Sequence, residues 1–196
     1  HQRQIGLGDR SHLFSGNINL TTHVTDIVNL LQWEDLHDVV LCGHSYAGMV
    51  ITGVAEAAPE RIASLVLCNT PVRISDEIKH IYALGTESAG AAMHAYGVGE
   101  WCRRTLAYRL DIEPAGPELC DWVVAEMDRT PSDIAAAYHD CFESVDTGPL
   151  LARVAQPVLL LSGDRSRIAS DMQRSLVQAL PRGRLELFEG YGHGVN

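Results

Sequence analysis

The chain has 196 residues, the size of one ordinary domain, and 15 Lys+Arg against 25 Asp+Glu give it a formal net charge of −10. This acidic balance argues against nucleic acid or a membrane surface as the main partner, because both are bound through basic patches. With 46% hydrophobic and 20% charged residues, the chain can bury a core and is not predominantly disordered.

The cysteines indicate a reducing compartment. They are odd in number, widely spaced and without a C-x-x-C pair: Cys42, Cys68, Cys102, Cys120 and Cys141. A disulfide framework or a structural zinc site is therefore not expected. The sequence also lacks a glycine-rich phosphate loop and a dinucleotide fingerprint. We accordingly expect a cytoplasmic protein that needs no metal or other cofactor.

Short apolar runs alternate with amphipathic segments along most of the chain. The runs that predict strands are 39–42, 65–68, 158–161 and 185–188. The first three are apolar throughout, as expected of strands buried on both faces of a parallel sheet. Apolar residues at helical spacing occur in 24–31, 47–58, 134–142 and 172–180. This alternation predicts an α/β fold, a mostly parallel sheet flanked by helices.

Residues 73–128 interrupt the alternation. This stretch is long, contains clusters of glycine and alanine, and has no convincing strand. We expect it to be helical and to form a cap or lid inserted over the edge of the sheet. The expected domain organisation is therefore a core of residues 1–72 and 129–196 with a helical cap of residues 73–128.

A serine lies between the first predicted strand and the helix that follows it. Residues 43–48 have the sequence Gly-His-Ser-Tyr-Ala-Gly, which in this setting is typical of a nucleophile elbow. A sharp turn lifts the hydroxyl of Ser45 above the sheet, and the helix N-terminus favours developing negative charge. Ala47 stands where such an elbow usually has glycine. The alternative is a Gly-Ser turn that only joins strand to helix.

A serine hydroxyl needs a base to take its proton, and His193 is the leading candidate. His193 lies between glycines in a loop just after the last predicted strand, where it can reach the carboxyl edge of the sheet. Eight other histidines are present among the nine in the chain, so the assignment depends on this position. His44, next to Ser45, is expected to pack under the elbow rather than to titrate.

The third group should orient the imidazole and stabilise its charged form. The chain order serine, acid, histidine predicts a carboxylate after the run 158–161, and Asp164 is found there. Its alternative role is that of a solvated loop residue. Asp146 is a weaker candidate, and the loop after Cys68 offers Asn69 instead of a carboxylate.

These residues resemble the α/β-hydrolase superfamily. Residues 6–69 are similar to bacterial esterases of the branch shared with plant hydroxynitrile lyases and methyl-ester esterases. The part from Thr130 through 157–163 to the Gly-His-Gly at 192–194 is similar to enol-lactonases and related small-ester hydrolases.

The resemblance assigns roles to individual residues. It implies that Ser45 is the nucleophile and His193 the base, and that the backbone N–H of Tyr46 is an oxyanion donor. His44 is grouped with Tyr46 on the oxyanion and substrate-binding side. Residues 73–128 would be the cap that shapes the pocket.

Two departures from this family pattern affect the expected activity. Such proteins usually have several dozen residues before the equivalent of Gly6, including a loop with a second oxyanion donor, and a final helix after the histidine. We therefore expect this chain to be a fragment, in preference to a minimised fold, with weak activity. The family also places its acid three residues after Gly163, which is Ser166 here. Without an acid, a Ser–His dyad would remain.

The sequence favours a serine hydrolase that cleaves a small carboxylic ester or lactone through an acyl-enzyme on Ser45, with His193 as general base. One alternative is a lyase of the hydroxynitrile lyase type; such lyases use a pocket lysine, and the only lysine here is Lys79. Another is a non-catalytic protein that binds a small ligand. The expected partner is a small-molecule ester or lactone, with neither nucleic acid nor membrane, and a homodimer is left open.

Overall fold

The computed structural model describes residues 18–166, 168 and 170–194, which divide into two compact units. The sheet unit comprises residues 20–73 and the described residues from 145 onward. The helical unit comprises residues 74–144 together with 18–19. The segment 6–17, which carries the beginning of the sequence resemblance, lies outside the described residues.

The sheet unit contains the four strands expected from the apolar runs. They are β1 (Val39–His44), β2 (Ile62–Cys68), β3 (Val158–Gly163) and β4 (Gly183–Phe188). All neighbouring pairs are parallel, and the strand order is β1-β2-β3-β4. The predicted α/β class with a parallel sheet is therefore confirmed. Since the strands are parallel, their carboxyl ends all meet at one edge of the sheet.

Helices fill the connections between the strands and make up the helical unit. In chain order they are α1 (Leu20–Trp33), α2 (Tyr46–Ala57), α3 (Asp76–Ala83), α4 (Ala89–Tyr96), α5 (Val98–Thr105), α6 (Ile112–Asp128), α7 (Ser132–Ser144), α8 (Gly148–Leu151) and α9 (Ser170–Ala179). Within the described ranges, every helix is too short or too polar to cross a membrane.

The core of the sheet unit lies on β2 and β3. Leu65, Leu67 and Leu160 are almost completely buried, and they pack with Val54 of α2 and Leu176 of α9. The expectation that the first strand is also buried on both faces was wrong, because Val40 is 59% exposed. β1 is the edge strand of the described sheet, so it is covered less completely than β2.

The helical unit has its own core around Trp101. This indole is completely buried, and its Nε1–H donates to the carbonyl oxygen of Tyr82 at 2.8 Å. Helices α4 and α7 approach closely, since a Cβ on Gly90 would lie 3.1 Å from the Cβ of Ala136. The sequence had grouped α7 with the core, whereas its small residues pack it into the helical unit, which extends to residue 144.

The five cysteines are free thiols. Cys42 and Cys68 are neighbours on β1 and β2. Burial, together with the proximity of Cys42, raises the pKa of Cys68 to about 11. A thiol of this pKa stays protonated near neutral pH, so Cys68 is not an activated nucleophile.

His139 is a largely buried titratable group in the helical unit. Its ring makes edge-on contacts with Tyr82, Trp101 and Phe142, and 15% of its side chain is exposed. Burial lowers the pKa of His139, and the nearby guanidinium of Arg109 acts in the same direction. The carboxylates of Glu143, with Oε1 4.0 Å from Nδ1, and of Asp140 act in the opposite direction.

We expect His139 to make the helical unit less stable in acid. The unfolded chain takes up a proton near pH 6.5, whereas the folded unit resists it, so the free energy of unfolding falls as the pH drops below about 6.5. The slope contributed by one histidine is at most about 1.4 kcal/mol per pH unit. Urea unfolding at pH 7 and pH 5 measures it. His139→Phe should reduce the pH dependence while His80→Gln, at an exposed position, leaves it intact; equal slopes in all three proteins would contradict the prediction.

Candidate active site

Ser45 occupies the sharp turn between β1 and α2. Its backbone has φ 53° and ψ −122°, a positive-φ conformation outside the left-handed helical region that is unfavourable for a residue with a Cβ. Its N–H donates to the carbonyl oxygen of Cys68 at 2.9 Å, and its own carbonyl accepts from the N–H of Gly48 at 3.0 Å. Strained backbone of this kind persists where the surroundings enforce it, and it is concentrated at functional sites.

The glycines on either side of Ser45 are required by close packing. A Cβ on Gly43 would lie 2.7 Å from backbone atoms of Ala47 and Gly48. A Cβ on Gly48 would lie 1.9 Å from Oγ1 of Thr70. The run of small residues in the sequence therefore has a steric cause, because the strand, the turn and the helix meet at distances that larger residues do not allow.

The loop after β4 brings His193 to the same edge of the sheet. Its carbonyl oxygen accepts two hydrogen bonds, from Nε2–H of His44 at 2.8 Å and from Nδ2–H of Asn69 at 2.7 Å. Because a carbonyl only accepts, His44 must carry its proton on Nε2. The ring centroids of His44 and His193 are 4.7 Å apart. His44, expected on the oxyanion and substrate-binding side, therefore donates to the backbone of His193.

Asn69 is the residue that sequence reasoning missed. It follows β2 directly, is completely buried and has φ 42°. Its Nδ2 also donates to the carbonyl of Gly192 at 3.3 Å, while its Oδ1 accepts from Oγ of Ser162 at 2.9 Å and from the N–H of Gly163 at 3.2 Å. The signal in the sequence is a polar residue directly after an apolar strand. From the sequence alone, Asn69 is notable only because it stands where a carboxylate could have completed the site.

The loop after β3 places two side chains near the histidine loop. Oδ1 of Asp164 accepts from the N–H of Gly190 at 2.8 Å, and the residue is exposed. Oγ of Ser166 lies 3.4 Å from Nδ1 of His193 and accepts from the N–H of Ile168 at 3.3 Å. Ser166, three residues after Gly163, is thus the residue whose side chain lies beside the imidazole, and it carries a hydroxyl where the family pattern has a carboxylate. The acid role of Asp164 stays a prediction.

Asp146 and Tyr46 make contacts of other kinds. Oδ1 of Asp146 accepts from the N–H of Gly148 at 2.8 Å, which forms a local turn. Tyr46 is the first residue of α2, and the N–H groups in the first turn of a helix have no partner within the helix. Its hydroxyl lies 2.7 Å from Nδ1 of His23. The expected oxyanion role of Tyr46 therefore involves only its backbone N–H. Its phenol packs against α1.

Two curated proteins are similar to this chain. The chain is 31% identical over 168 residues to the pimeloyl-[acyl-carrier protein] methyl ester esterase of Nitrosomonas europaea, a match that covers 78% of the chain and 63% of that protein. It is 51% identical over 61 residues to a carbendazim hydrolyzing esterase of Nocardioides sp. (strain SG-4G), covering 31% of the chain and 25% of that protein. The chain thus spans less than two thirds of either relative.

A solved structure and a family model agree on the fold. The esterase EaEST from Exiguobacterium antarcticum superposes with a TM-score of 0.83 at 18% identity, over 98% of this chain and 72% of that one. At this identity the likeness shows the fold alone. The model of the alpha/beta hydrolase family matches residues 5–196. Since this match covers nearly the whole chain, the protein belongs to the α/β hydrolase family.

Proposed function

We propose that the protein hydrolyses a small carboxylic ester or lactone, with Ser45 as the nucleophile and His193 as the general base. The observation that carries this proposal is the strained turn at Ser45, with φ 53°, at the sheet edge where the loop of His193 is anchored. The esterase names of the two curated relatives support the same class of reaction. We also propose a cytoplasmic location, because an odd number of widely spaced cysteines without a C-x-x-C pair is typical of proteins from a reducing compartment.

The proposed reaction proceeds through an acyl-enzyme. Oγ of Ser45 attacks the ester carbonyl carbon while Nε2 of His193 takes the hydroxyl proton. The backbone N–H of Tyr46 donates to the oxyanion of the tetrahedral intermediate. When the intermediate collapses, the bond from carbon to the leaving oxygen breaks, and His193 returns the proton to the departing alcohol. Water, deprotonated by His193, then attacks the acyl carbon. The bond from this carbon to Oγ of Ser45 breaks, and His193 returns the proton to Oγ, which releases the carboxylic acid and restores Ser45.

Covalent labelling tests this proposal. A fluorophosphonate probe reacts with an activated serine, so intact-mass analysis should show one adduct that is absent in Ser45→Ala. The control is Ser64→Ala on β2, which should label as the wild type does. Persistent labelling of Ser45→Ala would contradict the assignment of the nucleophile.

Ester turnover separates the proposal from its alternatives. With p-nitrophenyl acetate we expect release of p-nitrophenol that depends on both Ser45 and His193. The lyase alternative predicts cleavage of a cyanohydrin without an acyl-enzyme. The non-catalytic alternative predicts ligand binding that is unchanged in Ser45→Ala and no turnover of any ester.

A further inference from the structure

We propose that the group orienting the imidazole of His193 is the neutral hydroxyl of Ser166. Ser166 acts as a positioning residue that holds the ring without supplying a negative charge. The inference rests on the proposed function to the extent that His193 is taken as the base. It goes beyond that function because it replaces the expected carboxylate with an uncharged group and predicts the electrostatic consequence.

The hydrogen-bond directions around Ser166 agree with this role. A histidine that accepts a proton at Nε2 must carry its own proton on Nδ1, and Nδ1–H then has to donate. Oγ of Ser166 lies 3.4 Å from Nδ1 and also accepts from the N–H of Ile168 at 3.3 Å. A hydroxyl oxygen has two lone pairs and can accept both bonds. The 3.4 Å separation is long, as such contacts often are before substrate binds.

The backbone of His193 is fixed independently of its ring. His44 and Asn69 both donate to its carbonyl oxygen, at 2.8 and 2.7 Å. An orienting carboxylate normally fixes the tautomer and also stabilises the imidazolium. Here the hydroxyl of Ser166 performs the first task, since it is the group beside Nδ1, and it contributes no charge to the second. His44 and Asn69 fix only the backbone of His193.

Asp164 is the competing candidate, and its contact suggests a structural role. Its Oδ1 accepts from the N–H of Gly190 at 2.8 Å, so the carboxylate ties the loop after β3 to the loop after β4. An asparagine at this position could accept the same bond but would carry no charge. Asp164→Asn therefore separates a turn-forming role from an acid role.

A designed carboxylate at position 166 tests the inference. In Ser166→Asp, the negative charge beside Nδ1 should move the titration midpoint of His193, followed by NMR, to higher pH by about one unit or more. The plateau of kcat/KM on the alkaline side should rise about tenfold or more, because the imidazolium formed in the reaction is stabilised. Ser166→Asn is the matched neutral control and should leave the titration midpoint of His193 at the wild-type pH, because it adds no charge beside Nδ1. An unchanged midpoint and plateau in Ser166→Asp would overturn the inference.

A second measurement does not depend on the folding of the aspartate variant. The ¹⁵N shifts of His193, assigned with a His193→Gln variant, should show the Nδ1–H tautomer in the wild type. In Ser166→Ala they should show a mixture of tautomers. The same tautomer in Ser166→Ala would overturn the inference, and so would a loss of about 10⁴ in turnover for Asp164→Asn, which is the cost expected when an orienting carboxylate is lost.

These outcomes are distinguishable from failure of the proposed function. The NMR titration and the tautomer measurement need no turnover. If no variant hydrolyses an ester but the His193 midpoint moves in Ser166→Asp, the hydrolase proposal fails and the assignment of Ser166 stands. If the wild type hydrolyses esters but neither NMR quantity responds to position 166, the assignment fails alone.

Discussion

Replacing Asn69 with leucine should lower the free energy of unfolding of the sheet unit by about 2–5 kcal/mol and reduce kcat/KM about 10²-fold or more. Leucine has a similar volume but removes every side-chain hydrogen bond of this buried residue. The carbonyl of Gly192 and the N–H of Gly163 each lose a polar contact to Asn69, and buried polar groups left without a partner cost about 1–3 kcal/mol each. The carbonyl of His193 keeps only His44 of its two donors.

The expected loss of activity follows from the position of His193, the proposed base. A displacement of about 1 Å at a catalytic group can cost about 10² in rate. Urea unfolding measures the stability, and initial rates on an activated ester, corrected for the folded fraction, measure the activity. Gln156→Leu is the control. Gln156 is also a buried amide, and its Nε2 donates to the carbonyl of Pro59 at 3.0 Å. It lies just before β3, at the amino ends of the strands, whereas Asn69 lies at their carboxyl ends.

Gln156→Leu should therefore lower stability and leave the corrected kcat/KM unchanged. If Asn69→Leu also left the corrected kcat/KM unchanged, the hydrogen bond from Asn69 to the carbonyl of His193 would not contribute to catalysis. If Asn69→Leu changed neither quantity, the hydrogen bonds described for Asn69 would not contribute to the fold.

Replacing Gly163 with alanine should displace the loop that carries His193. A Cβ on Gly163 would lie 2.1 Å from the carbonyl oxygen of Tyr191 and 2.3 Å from that of Gly192. Both are backbone atoms, so no side-chain rotation relieves the clash and the loop after β4 must shift. We expect kcat/KM to fall about 10²-fold or more and the free energy of unfolding to fall by about 1–3 kcal/mol.

Gly194, in the loop that carries His193, provides the control. A Cβ on Gly194 would meet nothing within 4 Å among the described residues, so Gly194→Ala should have little effect on stability. Urea unfolding and ester kinetics on both variants make the comparison. Wild-type stability and activity in Gly163→Ala would contradict the close approach between the end of β3 and the histidine loop.

The sheet and the serine turn could be predicted because their determinants are local. The runs 39–42, 65–68 and 158–161 are short and apolar, 185–188 is mixed, and each of the four lies within one strand of the sheet. The turn at Ser45 follows in part from small residues within a few positions of it, since Gly43 is packed against the backbone of Ala47 and Gly48 too tightly for a Cβ. Backbone sterics and burial of apolar side chains act over such short segments, so the order of residues is sufficient to anticipate them.

The partners of His193 could not be predicted because they come from distant parts of the chain. His44 and Asn69 reach its carbonyl across separations of 149 and 124 residues. The choice between Asp164 and Ser166 depends on how the loops after β3 and β4 meet, which residue types alone do not specify. The placement of α7 in the helical unit likewise follows from its packing against α4. Local patterns therefore located the strands and the turn at Ser45, whereas the hydrogen bonds that hold the carbonyl of His193 form only because folding brings separate strand ends to one edge of the sheet.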